Sequence, residues 1–86
     1  MYEIIFDKKA SGFFKKLDSN IQTIIGKKIE KLKENPYLGE PLVGNLVGLR
    51  SLRIEKYRVI YKINNNQLII LILDIGHRKN IYMQAR

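Results

Sequence analysis

The stretch LRSLRIEKYRVIYKINNNQLIILILDI, residues 49–75, decides how this chain folds. It is rich in β-branched and aromatic residues and is interrupted at Glu55-Lys56 and at Asn64-Asn65-Asn66, which are turn-forming positions. Three strands result, Leu49–Glu55, Tyr57–Ile63 and Gln67–Ile75, and such short connections make them an antiparallel meander. A two-residue turn at Glu55-Lys56 pairs Ile54 with Tyr57, Arg53 with Arg58 and Leu52 with Val59. Strand alternation then sends Leu52, Ile54, Tyr57, Val59, Tyr61 and Ile63 to a buried face and Ser51, Arg53, Arg58, Ile60 and Lys62 to the other. The third strand is apolar at both parities from Leu68 to Leu73, which predicts an interior strand covered on both sides.

Upstream, Tyr2–Phe6 reads as a short strand closed by Asp7, a residue suited to cap a helix. Ala10, Phe13, Phe14 and Leu17 recur at helical spacing and predict a first helix over Lys8–Leu17, weakened by Gly12. Asp18-Ser19-Asn20 interrupts it and can cap a second helix, in which Ile21, Ile24, Ile25, Ile29 and Leu32 keep the rhythm until Asn35-Pro36 ends it. Residues 35–48, with two prolines and three glycines, cross from helices to sheet as a loop. The expected fold is α+β: an N-terminal strand, a two-helix hairpin, then the three-stranded antiparallel meander, with the helices packed on one face of the sheet. Residues 1–86 are expected to form a single domain.

Charge is distributed unevenly along this frame. Residues 1–44 carry eight lysines and six acids, whereas residues 45–86 carry eight cations, five of them arginines, against Glu55 and Asp74. The net charge of +8 therefore divides into +2 and +6. Lysine suits a solvated helix face, while the planar arginine fork matches phosphate oxygens. Such a field favours polyanions. Without cysteine the chain has no disulfide or thiolate chemistry, and a single histidine makes a zinc site improbable. The longest apolar run, Leu68–Leu73, is far below the roughly 18–20 residues that would span a bilayer, and the acidic N-terminus does not read as a signal peptide. A cytoplasmic protein is expected, with no cofactor and no metal.

The hairpin register sets Arg53 and Arg58 opposite each other, an unfavourable pairing unless an anion lies between them or the two side chains splay into solvent. The third strand returns beside Tyr57–Ile63, so Gly76, His77 and Arg78 arrive near Arg58, with Tyr82 following. Arg53, Arg58, Arg78, His77 and Tyr82 are thus expected to converge as a phosphodiester site that lacks a carboxylate pair. Arg50 falls on the opposite parity and Arg86 in the tail. Tyr2, Tyr57 and Tyr61 read as core; Tyr37 could belong to the core or to a stacking surface.

The segments Leu52-Arg53-Ile54-Glu55-Lys56-Tyr57-Arg58-Val59-Ile60-Tyr61 and Ile75-Gly76-His77-Arg78-Lys79-Asn80-Ile81-Tyr82 closely resemble the hallmark stretches of RelE-type toxins in the RelE/ParE superfamily. The order of elements resembles that family over the whole chain. The resemblance implies a toxin of a type II toxin-antitoxin system: a ribosome-dependent endoribonuclease that cuts mRNA in the ribosomal A site by attack of the RNA 2′-hydroxyl. It also implies inhibition by an acidic RelB-like antitoxin that covers or distorts the arginine site. By position, Arg58 and Arg78 match the family's phosphate-stabilising arginines, and Tyr82 matches its base-orienting tyrosine. Better-known members carry lysines on the strand before the Tyr-Arg pair, where this chain has Leu49-Arg50-Ser51-Leu52-Arg53. Since arginine is a poor proton acceptor, His77 is the candidate proton shuttle, the alternative being that positioning on the ribosome does most of the work. A ParE-like toxin acting on DNA gyrase and a non-catalytic RNA-binding module are the competing functions.

Overall fold

A computed structural model describes residues 1–78. Along the chain lie β1 (Glu3–Phe6), α1 (Lys8–Lys15), α2 (Ser19–Glu30), β2 (Glu40–Pro41), β3 (Arg50–Ile54), β4 (Tyr57–Asn64) and β5 (Ile69–His77). They build one five-stranded sheet in the order β1-β5-β4-β3-β2, with the two helices against one face. The expected α+β meander is its centre, and Ile54–Tyr57, Arg53–Arg58 and Leu52–Val59 pair as the two-residue turn requires. Glu55 closes that turn in the left-handed region, at φ 57°.

Two strands extend the meander, the expected N-terminal one and a second inside the crossing loop. β1 pairs in parallel with β5, Glu3 to Ile69 through Phe6 to Ile72, so β5 is interior. At the far edge the short β2 pairs with β3 inside what reads as loop, because Glu40 and Pro41 follow a turn rather than a β-rich run. The helices begin where expected, at Lys8 and Ser19, and Asp7 and Asp18 hold extended N-cap geometry without making side-chain capping bonds. α1 ends at Lys15, two residues early, and α2 passes into a tight turn over Lys31–Lys33 before Pro36.

Tyr57, Val59 and Tyr61 of β4 pack with Ala10, Ile25, Ile29 and Leu32 from the helical segment and with Leu52, Ile54, Ile70, Ile72 and Ile75 from neighbouring strands. Ile72 and Ile75 are three residues apart, so regular alternation could not bury both on one side. The register shifts between Ile60 and Tyr61, which pair with Asp74 and Ile72, so Leu73 is the extra residue of a β-bulge. The bulge resets the phase and returns Ile75 to the core. Coverage of β5 is accordingly asymmetric: Ile70, Ile72 and Ile75 are buried, while Ile69 and Leu71 on the other face are only partly covered. The expected interior position is found, while the expected cover on both sides is complete on one face and partial on the other.

A polar clamp joins the crossing loop to the sheet. The Tyr61 hydroxyl donates to the Pro36 carbonyl at 2.7 Å and accepts from the Gly39 N–H at 2.9 Å. Arg50 donates to the Gly39 carbonyl through Nε and Nη2, at 3.1 and 2.7 Å, and lies 5.2 Å above the Tyr37 ring. A Cβ at residue 39 would stand 2.6 Å from the Tyr61 hydroxyl oxygen and 2.9 Å from the Ser51 carbonyl, so only glycine fits. Burial raises the Tyr61 pKa above its ordinary 10.0, an effect that the Gly39 and Arg50 interactions oppose. Gly39→Ala is expected to lower stability by about 1–3 kcal/mol in urea unfolding, because neither neighbour is a free side-chain end. Tyr61→Phe should cost about 1–2 kcal/mol at pH 7–9. The unfolded tyrosine ionises above pH 10 while the folded one keeps its proton, so the wild-type advantage should shrink as pH rises further. A gap that widens in alkaline solution would contradict this account of Tyr61.

Candidate phosphate-binding site

The sheet face opposite the helices carries the candidate site. Because Tyr57 and Val59 are committed to the core, Arg58 between them must point away, and Arg53 stands directly across from it. Gly76 of β5 pairs with Arg58 on its other side, so Arg58 has an arginine on one flank and no side chain on the other. Arg58 Nη1 donates to the Ser51 hydroxyl at 3.4 Å. Its Nε is shielded from solvent and, among the described residues, has no hydrogen-bond partner.

Among the described residues the charge of Arg53 and Arg58 is not neutralised. Glu55 is exposed in the β3–β4 turn, and Asp74 is engaged by Lys9 of α1, Nζ to Oδ2 at 3.2 Å. Among the described residues neither Arg53 nor Arg58 forms an ion pair, although like charges facing each other across a strand pair destabilise it. An anion between them would reverse that sign and would satisfy guanidinium N–H groups.

The other expected site residues divide. The Arg78 N–H donates to the Lys56 carbonyl at 2.9 Å, carrying the ladder one residue past β5 and setting the Arg78 backbone at the β3–β4 turn, two residues beyond the partner of Arg58. His77 does not join the arginines. It pairs with Tyr57, and its ring lies 4.9 Å from the tyrosine ring, on the helix side of the sheet. The bulge at Leu73 is the cause: uninterrupted alternation from Ile72 would have turned residue 77 to the arginine face. The expected convergence of His77 with Arg53 and Arg58 is thus corrected by register. Tyr82 and Arg86 lie outside the described residues. Arg50 is occupied in the loop clamp, and Tyr37 is exposed beneath it.

Sequence reading placed Ser51 and Lys62 on this face without assigning them roles. Ser51 has one by its surroundings, being 1% exposed on the face opposite the helices and directly in contact with Arg58. The signal for it was present: a hydroxyl two residues before Arg53 and therefore on the same face of the strand. If the face binds anions, sulfate should raise the melting temperature of the wild type more than that of Arg53→Ser. At low ionic strength without sulfate, Arg53→Ser should be the more stable protein by up to about 1 kcal/mol. Equal sulfate shifts in the two proteins would count against an anion between these arginines.

Comparison with known proteins extends the same outline. The family model for the ParE toxin of type II toxin-antitoxin system, parDE, matches residues 4–82. A RelE-like toxin protein of Escherichia coli is 30% identical over 83 residues, covering 91% of this chain and 84% of the relative. The mRNA interferase toxin RelE of Escherichia coli K12 is 20% identical over 88 residues, covering 98% and 93%. In the toxin-antitoxin complex RelBE2 from Mycobacterium tuberculosis, one chain matches with a TM-score of 0.82 at 29% identity, covering 90% of this chain and 98% of that one. With its strand order, helix hairpin and arginine-bearing β-hairpin all inside the matched region, this chain belongs to the RelE/ParE superfamily as a RelE-type toxin of a type II toxin-antitoxin system.

Proposed function

We propose that this toxin is a ribosome-dependent endoribonuclease that cleaves mRNA in the A site and so stops translation. The observation that carries the reading is the Arg53–Arg58 pair, two guanidinium groups held opposite each other on the sheet face opposite α1 and α2 and, among the described residues, without an ion-pair partner. The name of the K12 relative, an mRNA interferase, supports the same activity. In the reaction the RNA 2′-oxygen attacks the adjacent phosphorus and the bond from phosphorus to the 5′-oxygen breaks. The 2′-hydroxyl proton leaves and the 5′-oxygen gains one, giving a 2′,3′-cyclic phosphate and a 5′-hydroxyl. Negative charge grows on the phosphoryl oxygens during attack, and preorganised guanidinium groups bind that state better than the ground state.

Arg58 and Arg78 are assigned to the phosphoryl oxygens, Arg53 to the incoming backbone, and Tyr82 to orientation of a base. His77, stacked on Tyr57 across the sheet, is left out of the phosphate contacts. Proton transfer then falls to groups that the ribosome and the RNA bring into position. An acidic RelB-like antitoxin is the natural inhibitor, and its negative charge suits a toxin of net charge +8. The matching mycobacterial chain comes from a toxin-antitoxin complex, which supports such a partner.

The ParE description of the matching family model keeps a second reading in view, in which the target is DNA gyrase. Primer extension on translated messages, set beside a gyrase-dependent DNA breakage assay, separates the two. Arg58→Ala and Arg78→Ala should each lower mRNA cleavage roughly 10²–10³-fold, and His77→Ala should stay within a few-fold of wild type. Double-strand breaks with gyrase and intact mRNA would overturn the ribonuclease assignment.

A further inference from the structure

Ser51 occupies an unusual place for a hydroxyl. It lies on the side of the sheet away from the helices, 1% exposed, between Glu40 of β2 and Ile60 of β4, and Ile60 is itself 5% exposed. Alanine would fill such a site without the cost of withdrawing a hydroxyl from water, so the hydroxyl has to be used there. Arg58 is its diagonal neighbour, since Ser51 pairs with Ile60 and Arg58 precedes Ile60 by two residues. The Nη1–Oγ bond of 3.4 Å shows the guanidinium lying back along the sheet toward Ser51.

We infer that Ser51 is a positioning residue for Arg58: its hydroxyl holds the Nη1 arm of the guanidinium against the sheet, with Nε buried behind it, so that the Nη2 arm faces an incoming phosphate. The inference rests on the ribonuclease reading for its catalytic consequence, but its structural content stands apart from it. An arginine left free samples many rotamers, and fixing one of them before substrate arrives lowers the entropy lost on reaching the transition state. Residue 51 is buried, 1% exposed, so a small side chain suits it. Serine therefore combines a small volume with an acceptor, whereas a long cation at this position would place a third positive charge beside Arg53 and Arg58.

The test compares wild type, Ser51→Ala, Ser51→Thr, Arg58→Ala and the double variant Ser51→Ala/Arg58→Ala. The first readout needs no substrate: 15N relaxation of the Arg58 Nε–H group in the free protein. Its order parameter should drop from a rigid value near about 0.8 to below about 0.6 in Ser51→Ala, and should recover in Ser51→Thr. The second is single-turnover cleavage of mRNA on stalled ribosomes. Ser51→Ala should lower the rate about 10-fold with little change in the half-saturating toxin concentration, and should add nothing in the Arg58→Ala background. Should the threonine not fit, the alanine relaxation data and the double variant still decide. An Arg58 Nε–H group equally ordered in wild type and Ser51→Ala overturns the inference, as does a Ser51→Ala loss that persists undiminished without Arg58. Wild type that cuts no mRNA, with Arg58 order still lost in Ser51→Ala, would remove the ribonuclease reading and leave the positioning role in place.

Discussion

Strand β4 can turn only one set of alternate side chains toward the helices, and the packing of Tyr57, Val59 and Tyr61 fixes which set that is. Every other placement in the sheet depends on it. Arg58, Ile60 and Lys62 must face outward, β3 must bring Arg53 opposite Arg58, and β5 must deliver Gly76 to the other flank. Slippage by one residue would bury an arginine and expose a tyrosine, each at a cost comparable with much of the stability of so small a domain. The site geometry is therefore protected by the same burial that holds the fold together.

The arginines separate into roles by parity. Arg50, in phase with the core residues, reaches back to the Gly39 carbonyl and the Tyr37 ring, and with the Tyr61 hydroxyl it fastens the loop that carries β2. Arg53 and Arg58, out of phase with the core, have no such backbone partners among the described residues and carry their charge on the face opposite the helices. One short strand thus supplies a structural arginine and a ligand-facing one three positions apart. Composition alone, which marks the whole arginine-rich half as basic, could not make that distinction.

What could be read in advance follows from how local the determining physics is. The β3–β4 register was legible because a two-residue turn leaves few pairings, and the two helices were legible because their isoleucines and phenylalanines keep a 3.6-residue spacing. β2 was not, since Glu40 and Pro41 carry no strand signal and are recruited by the edge of β3. The parallel pairing of β1 with β5 depends on contacts nearly the whole chain apart. Arg53 and Arg58 were found from alternation; His77 was expected beside them because the strand was read as ending at Ile75, whereas it runs on through His77, and the bulge at Leu73, invisible in a run where every residue is apolar, sets the imidazole against Tyr57. Ser51 was placed on the right face but given no role, since a single hydroxyl gains meaning only once Arg58 is seen to lean on it.

The bulge at Leu73 also works as a switch in the reading frame of the strand's two surfaces. Before it, even-numbered residues of β5 belong to the interior; after it, odd-numbered ones do. Deleting that residue would leave the faces as they are, Ile75 inside and Gly76 outside; closing the bulge with Leu73 kept opposite Ile60 would instead exchange the exposures of Gly76 and His77, and those of Asp74 and Ile75 with them. An imidazole would then stand on the arginine face, where none is now. The extra residue thus fixes which chemical groups the strand presents on the arginine face, and a change in that presentation would carry Ile75 out of the core with it.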